Sequence, residues 1–139
     1  MTDAILRERL QSIAQKDRVA ALFGMQVEDA GYGFARISAV VKEEFLNAHD
    51  LAHGAFVFAL ADVAFALAVN SVTDAVGVQW SINLFRPATC GDKITAECRL
   101  IHQGRRLMVV ELVVRNQEEK LIAQGQATAL PWEAGREAS

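Results

Sequence analysis

The stretch NAHDLAHGAFVFALADVAFALAVNS, residues 47–71, decides the architecture. Between Gly54 and Asn70 its only charged residue is Asp62. A run that is apolar on every face is either a membrane span or the central helix of a core. Residues 54–69 as a helix reach only about 24 Å, short of a hydrocarbon layer of roughly 30 Å, and a carboxylate sits mid-run. The reading is therefore a buried core helix, and no membrane partner is expected.

An ionised acid on such a helix is costly unless it is paired, hydrogen-bonded or open to a water-filled cleft. No lysine or arginine occurs between Glu44 and Arg86, so no neighbour on the helix can pair with it. Asp62 is either a structural carboxylate bonded to amides or a hydroxyl, or a nucleophile or general base facing a pocket. His53-Gly54 opens the same helix. First-turn N–H groups have no internal partner and the helix dipole adds positive charge, so this end can hold an oxyanion. Glycine at position 54 lets a substrate carbonyl approach the main chain. His53 is a donor to that carbonyl, a group orienting Asn47, or simply a helix-start cap; His49 is expected in solvent.

Nine positions separate His53 from Asp62, which sets them on opposite faces roughly 13 Å apart along the axis. One chain cannot bring both to one substrate. If both act on one carbonyl, Asp62 reaches the helix start of a second subunit, and a two-fold dimer holds two equivalent composite sites. Ala59, Ala61, Ala64, Ala66 and Ala68 give small faces for such an approach.

Working outward, Ile5, Leu6, Leu10, Ile13 and Ala14 recur at helical intervals, predicting an amphipathic N-terminal helix over residues 3–16 within an N-terminal helical segment 1–20. Residues 19–23 add a short turn ending at Gly24. Residues 25–30 and 34–41 alternate around Gly31-Tyr32-Gly33 and predict a hairpin. Past the long helix, residues 77–85, 93–102, 106–116 and 120–130 are β-rich runs between turn signals. Short gaps imply antiparallel neighbours, so these four read as a meander. The expected fold class is α+β: an antiparallel sheet curved around a long central α-helix, with an N-terminal helix. One domain spans residues 1–139, with a frayed tail at 133–139.

The 139 residues are 52% hydrophobic, enough for one well-buried core. Acidic side chains number 17 against 14 basic, a net charge of -3 without a basic cluster, which argues against nucleic acid as a partner. The charged, helical N-terminus is not a signal peptide, so a cytoplasmic location is expected. Cys90 and Cys98 lack metal-ligand spacing and read as free thiols.

Together, Asn47, His53-Gly54-Ala55, Leu60-Ala61-Asp62, Asn70-Ser71, Phe85-Arg86-Pro87-Ala88, His102-Gln103-Gly104-Arg105 and the closing Leu121-Ile-Ala-Gln-Gly-Gln resemble the hotdog-fold acyl-CoA thioesterases of the phenylacetic-acid-degradation type. The resemblance runs from about Leu22 to Leu130. It implies the hotdog fold, two chains paired edge to edge as a homodimer, and homotetramers as a common outcome. It also implies hydrolysis of an acyl-CoA, aryl-acetyl or medium-chain, to free acid and CoA with no metal or organic cofactor. By motif, Asp62 is nucleophile or general base, the partner's Gly54 amide polarises the carbonyl, and Asn47 and His53 position water or substrate. Ala55 stands where a second glycine is usual; it still supplies an amide, but its methyl narrows the approach to the substrate.

CoA phosphates call for a cationic rim, for which Arg86, Lys93, Arg105 and Arg106 are candidates. Gly77, Gln79 and Ser81 alternate on their strand and are expected to line the acyl pocket beside Asp62, with Trp80 pointing away. Two rivals are weighed: a hotdog protein that binds acyl-CoA without cleaving it, and a hotdog dehydratase acting on hydroxyacyl thioesters. The position of Asp62 argues against the first. The second resembles a different His-and-acid arrangement that is not found in this chain.

Overall fold

The computed structural model describes residues 2–132; the tail expected to fray, 133–139, lies outside the described residues. The chain begins with α1 (Asp3–Lys16), capped by Thr2, whose Oγ1 accepts the Ile5 N–H at 3.2 Å. This satisfies one of the first-turn donors that a helix leaves open. Leu6 and Leu10 are its buried residues. A second short helix, α2 (Arg18–Leu22), takes Asp17 as its cap, with the carboxylate accepting the Ala20 N–H at 2.9 Å. It stops where Gly24 adopts φ +64°, a conformation that L side chains rarely take.

β1 (Gln26–Gly31) and β2 (Phe34–Val40) form the expected hairpin. After a 3-10 turn at Glu43–Phe45 comes α3 (Gly54–Asn70), then β3 (Ala75–Leu84), β4 (Lys93–Gln103), β5 (Met108–Arg115) and β6 (Leu121–Pro131). All six strands join one antiparallel sheet in the order β1-β2-β4-β5-β6-β3. The four-strand meander is therefore corrected. Only β4, β5 and β6 follow in sequence, while β3 pairs with β6 at the far edge and β4 returns beside β2. The reason lies in the segment 85–92, too long for a tight hairpin, which carries the chain back across the sheet. Hydrogen bonds from Val41 N–H to Asp92 O and from Gly91 N–H to Val41 O, both 2.8 Å, seat that return next to β2.

α3 lies across the inner face of the sheet, and ten of its residues are buried, among them Phe56, Leu60, Phe65 and Leu67. They meet Ile37, Ile94, Val110, Leu112 and Ile122 in one apolar cluster. Burying each large side chain of this kind contributes roughly 1.5–3 kcal/mol, which is why a helix with no polar face is stable in this position. Its far end is tied down twice. Asn70 accepts the Ala75 N–H at 3.0 Å, and Ser71 Oγ accepts the Gly33 N–H at 2.7 Å. The Asn70-Ser71 pair thus joins the helix to β3 and to the β1–β2 turn. No helix among the described residues is long and apolar enough to cross a membrane.

Candidate active site

The helix start is built by hydrogen bonds that leave one amide over. Asn47 Oδ1 accepts the N–H groups of His49 at 2.9 Å and Leu51 at 3.2 Å, folding residues 47–51 into a tight loop. His53 N–H donates to Phe45 O at 2.8 Å, and His53 is the residue capping α3. Its Nδ1 accepts the Ala55 N–H at 2.9 Å, so the neutral ring carries its proton on Nε2. The N–H groups of Phe56 and Val57 close on His53 O. Among the described residues, the Gly54 N–H alone in this first turn meets no acceptor. The expectation that Ala55 supplies a second amide is corrected: the His53 ring already occupies it.

Asn47 and Gly54 line an open groove of ≈ 260 Å³ together with Leu84, Phe85, Arg86 and Ala88. Nothing but Leu84 Cδ2, at 3.9 Å, stands within 4 Å of where a Gly54 Cβ would be, so the amide is approachable. Asn47, Gly54 and Arg86 are therefore neighbours, although Arg86 is remote in sequence. Leu84, exposed, was not singled out in the sequence, and exposed Phe85 only as part of the Phe85-Arg86-Pro87-Ala88 match; their place at the end of a strand facing Gly54 became visible only with the sheet order.

Asp62 stands eight residues beyond Gly54, about 12 Å along the helix. It shares the one incompletely covered stripe of α3 with Ala55, Phe58, Ala59 and Ala66, whereas Ala61, Ala64 and Ala68 are packed against the sheet. Of the small faces expected to admit a second chain, only Ala59 and Ala66 are open to one. Burial raises the Asp62 pKa above its ordinary value, and the charge of nearby Asp17 raises it further. Neither an ion pair nor a hydrogen bond offsets this among the described residues. Asp17 could not be paired with Asp62 from spacing, since 45 positions of chain separate them.

The expected lining is corrected for Gln79 and Ser81, while Gly77 does face α3. The β3–β6 register shifts between Gly77 and Gln79, placing Val78 in a bulge. An extra residue reverses the alternation beyond it. Gly77 opposes Ala129 and Trp80 opposes Ala127, both on the inner face, while Gln79 opposes Thr128 and Ser81 opposes Gln126 on the outer face. Trp80 therefore points towards α3, and Gln79 and Ser81 point away from it.

The cations divide between the two ends of the sheet. Arg86 follows β3 beside Gly54, whereas Arg105 and Arg106 sit in the β4–β5 turn, at the end where β3 begins. Lys93 is engaged by Glu28 at 3.5 Å within a depression on the outer face. Cys90 is exposed and Cys98 is buried, where its thiol is pushed up to about 12 by desolvation. Both are free.

A six-stranded antiparallel sheet packed on a central helix, with a further helix at the N-terminus, is the architecture of the hotdog-fold thioesterases. The chain belongs to the thioesterase superfamily, whose family model matches residues 49–123, and it is a thioester hydrolase. It is similar to the acyl-coenzyme A thioesterase PaaI of Escherichia coli (strain K12), at 33% identity over 117 residues, 84% of this chain and 84% of that protein. The solved structure of the E. coli PaaI protein from the phenylacetic acid degradation operon superposes with a TM-score of 0.91 at 29% identity, covering 96% of this chain and 97% of that one. A hypothetical thioesterase protein from Streptococcus pneumoniae TIGR4, solved with coenzyme A, gives a TM-score of 0.74 at 29% identity, covering 76% and 84%.

Proposed function

We propose that the protein hydrolyses acyl-CoA thioesters to the free acid and CoA, at composite sites shared between two copies of the chain. Asp62 of one chain acts as nucleophile or general base, and the Gly54 amide of the other receives the developing oxyanion. The observation that carries this reading is the desolvated, unpaired Asp62 carboxylate on the open stripe of α3. A carboxylate with a raised pKa is the stronger base while still ionised, which suits it to take a proton from water or to attack a carbonyl carbon. Attack converts the thioester carbonyl to an oxyanion. Its collapse breaks the C–S bond and expels the CoA thiolate. Where Asp62 has taken the proton of the attacking water, it returns that proton to the thiolate. Where Asp62 itself attacks, the Asp62–acyl anhydride so formed is split by a second-step water that supplies the thiolate's proton and releases the free acid.

A second chain is called for because Gly54 and Asp62 of one helix are too far apart to touch one carbonyl. β3 supplies the means. This ten-residue edge strand, AVGVQWSINL, contains neither a charge nor a proline and exposes Val76, Val78 and Leu84. Edge strands of that kind are templates for pairing. Antiparallel pairing of two β3 strands about a two-fold axis sets the start of each beside the end of the other. The Arg105–Arg106 turn of one chain then comes to the end that holds Gly54 and Arg86 of its partner, a cationic rim for the CoA phosphates. A homodimer is the minimum assembly, and tetramers are pairs of such dimers.

The reading is tested by following free-thiol release from a panel of acyl-CoAs. Wild-type protein is expected to turn over at least one aryl-acetyl or medium-chain substrate, and Asp62→Asn to lose about 10²–10⁴-fold in rate. A variant that releases CoA at the wild-type rate would remove Asp62 from the chemistry and leave binding without cleavage as the better account.

A further inference from the structure

Trp80 Nε1 is a buried donor with no acceptor among the described residues. The bulge at Val78 turns its indole inward, where the ring lies edge-on to Phe58 at 5.8 Å and to Phe65 at 5.4 Å between centroids. Phe58 precedes Asp62 by four positions and Phe65 follows it by three, so the two rings flank the acid on one side of α3. Gly77 makes the room. A Cβ at that position would come within 2.3 Å of the Trp80 ring and 2.7 Å of the Phe65 ring. The indole therefore fills the space between β3 and α3 at the level of Asp62.

We propose that Trp80 is a specificity-determining residue: its ring closes the acyl side of the site, admitting short or flat aromatic acyl groups and refusing long straight chains. The inference rests on the thioesterase reading above. An acyl group whose carbonyl carbon meets Asp62 must lie on the apolar surface beside that acid, which exposed Phe58 and half-buried Trp80 form over the buried Phe65 ring. No hydrogen bond holds the indole among the described residues, where packing keeps it in place, and the limit on chain length is one of volume. In an apolar pocket each methylene too many or too few changes the preference by about tenfold or more.

The test measures binding separately from hydrolysis. Non-cleavable S-alkyl thioethers of CoA, from ethyl to decyl, and the phenethyl thioether are titrated calorimetrically into wild-type protein and Trp80→Ala, while thiol release is followed with the matching acyl-CoAs. Wild-type affinity is expected to fall by about tenfold or more between butyl and decyl, and Trp80→Ala to recover about tenfold for decyl with little change for ethyl. Trp80→Leu, which keeps an apolar side chain against Phe65, carries the same expectation if the alanine variant does not fold. Identical length profiles in folded wild type and variant would overturn the role of Trp80 and leave the thioesterase reading intact. Thioethers that bind with the expected profile while no acyl-CoA is cleaved would overturn the hydrolase reading instead and support the wall. Absence of both binding and cleavage would overturn both.

Discussion

His53 Nδ1 accepts the Ala55 N–H at 2.9 Å, and this contact leaves the amide of Gly54 as the unpaired donor at the start of α3 among the described residues. One side chain thus sets which backbone group can meet a substrate oxygen. It also sets the ring's own state: with Nδ1 accepting, the Nε2–H is the group that can face a ligand.

Removing the ring should cost stability first. His53→Ala deletes the cap and is expected to destabilise the protein by about 1 kcal/mol, read as a loss of several degrees in Tm by differential scanning calorimetry. His53→Asn restores an acceptor for the first turn and should recover the Tm. If the Nε2–H also positions water or substrate, turnover stays low in the asparagine variant; recovery of both quantities would confine His53 to capping.

Asp62 should behave oppositely in stability and in activity. Its pKa is raised by folding, so the native state holds the proton more tightly than the unfolded chain does. Stability therefore falls as pH rises from the unfolded to the folded pKa, and the penalty is fully present above the folded value. Asp62→Asn, expected to be slow as an enzyme, should melt at a higher temperature than wild type at neutral pH, with the gap closing as pH falls from the folded to the unfolded value. A gap constant with pH would mean that the carboxylate is not desolvated.

Interrupting the open edge of β3 should separate assembly from folding. Val78, half-exposed in the bulge, is the residue to change. Val78→Lys places a charge on the edge and is expected to yield a folded monomer by native mass spectrometry, with circular dichroism unchanged and thiol release lost. A monomeric variant at the wild-type rate would contradict composite sites.

Arg86 lies at the Gly54 groove without an ion pair among the described residues. Arg86→Ala should raise KM for acyl-CoA by about tenfold with kcat little changed, and flatten the dependence of KM on ionic strength. An unchanged KM would assign the phosphates to other cations.

Much of the fold is written locally. The period of residues 3–16, the apolar length of α3 and the turn residues around Gly24 and Gly33 each report on a short segment, and the elements fell within one or two residues of the expected bounds over most of their length. Strand order was not legible in the same way. Pairing β3 with β6 depends on where the long return through 85–92 docks, a choice made by the packed core and by hydrogen bonds such as Val41 N–H to Asp92 O. The direction of Trp80 was missed because alternation assumes an unbroken ladder, and the bulge at Val78 inserts one residue. The spacing of Phe58, Asp62 and Phe65 was available in the sequence as a sign that aromatic rings flank the acid.

By itself the sequence determined that a lone acid would sit within a buried helix beginning at His53-Gly54, because no polar face and no nearby cation could relieve it. Only the tertiary structure decided which amide of that helix is unpaired, which stripe of it is open, and which ring stands next to Asp62. Those outcomes follow from contacts between segments distant along the chain, whose register is set by packing rather than by any local preference.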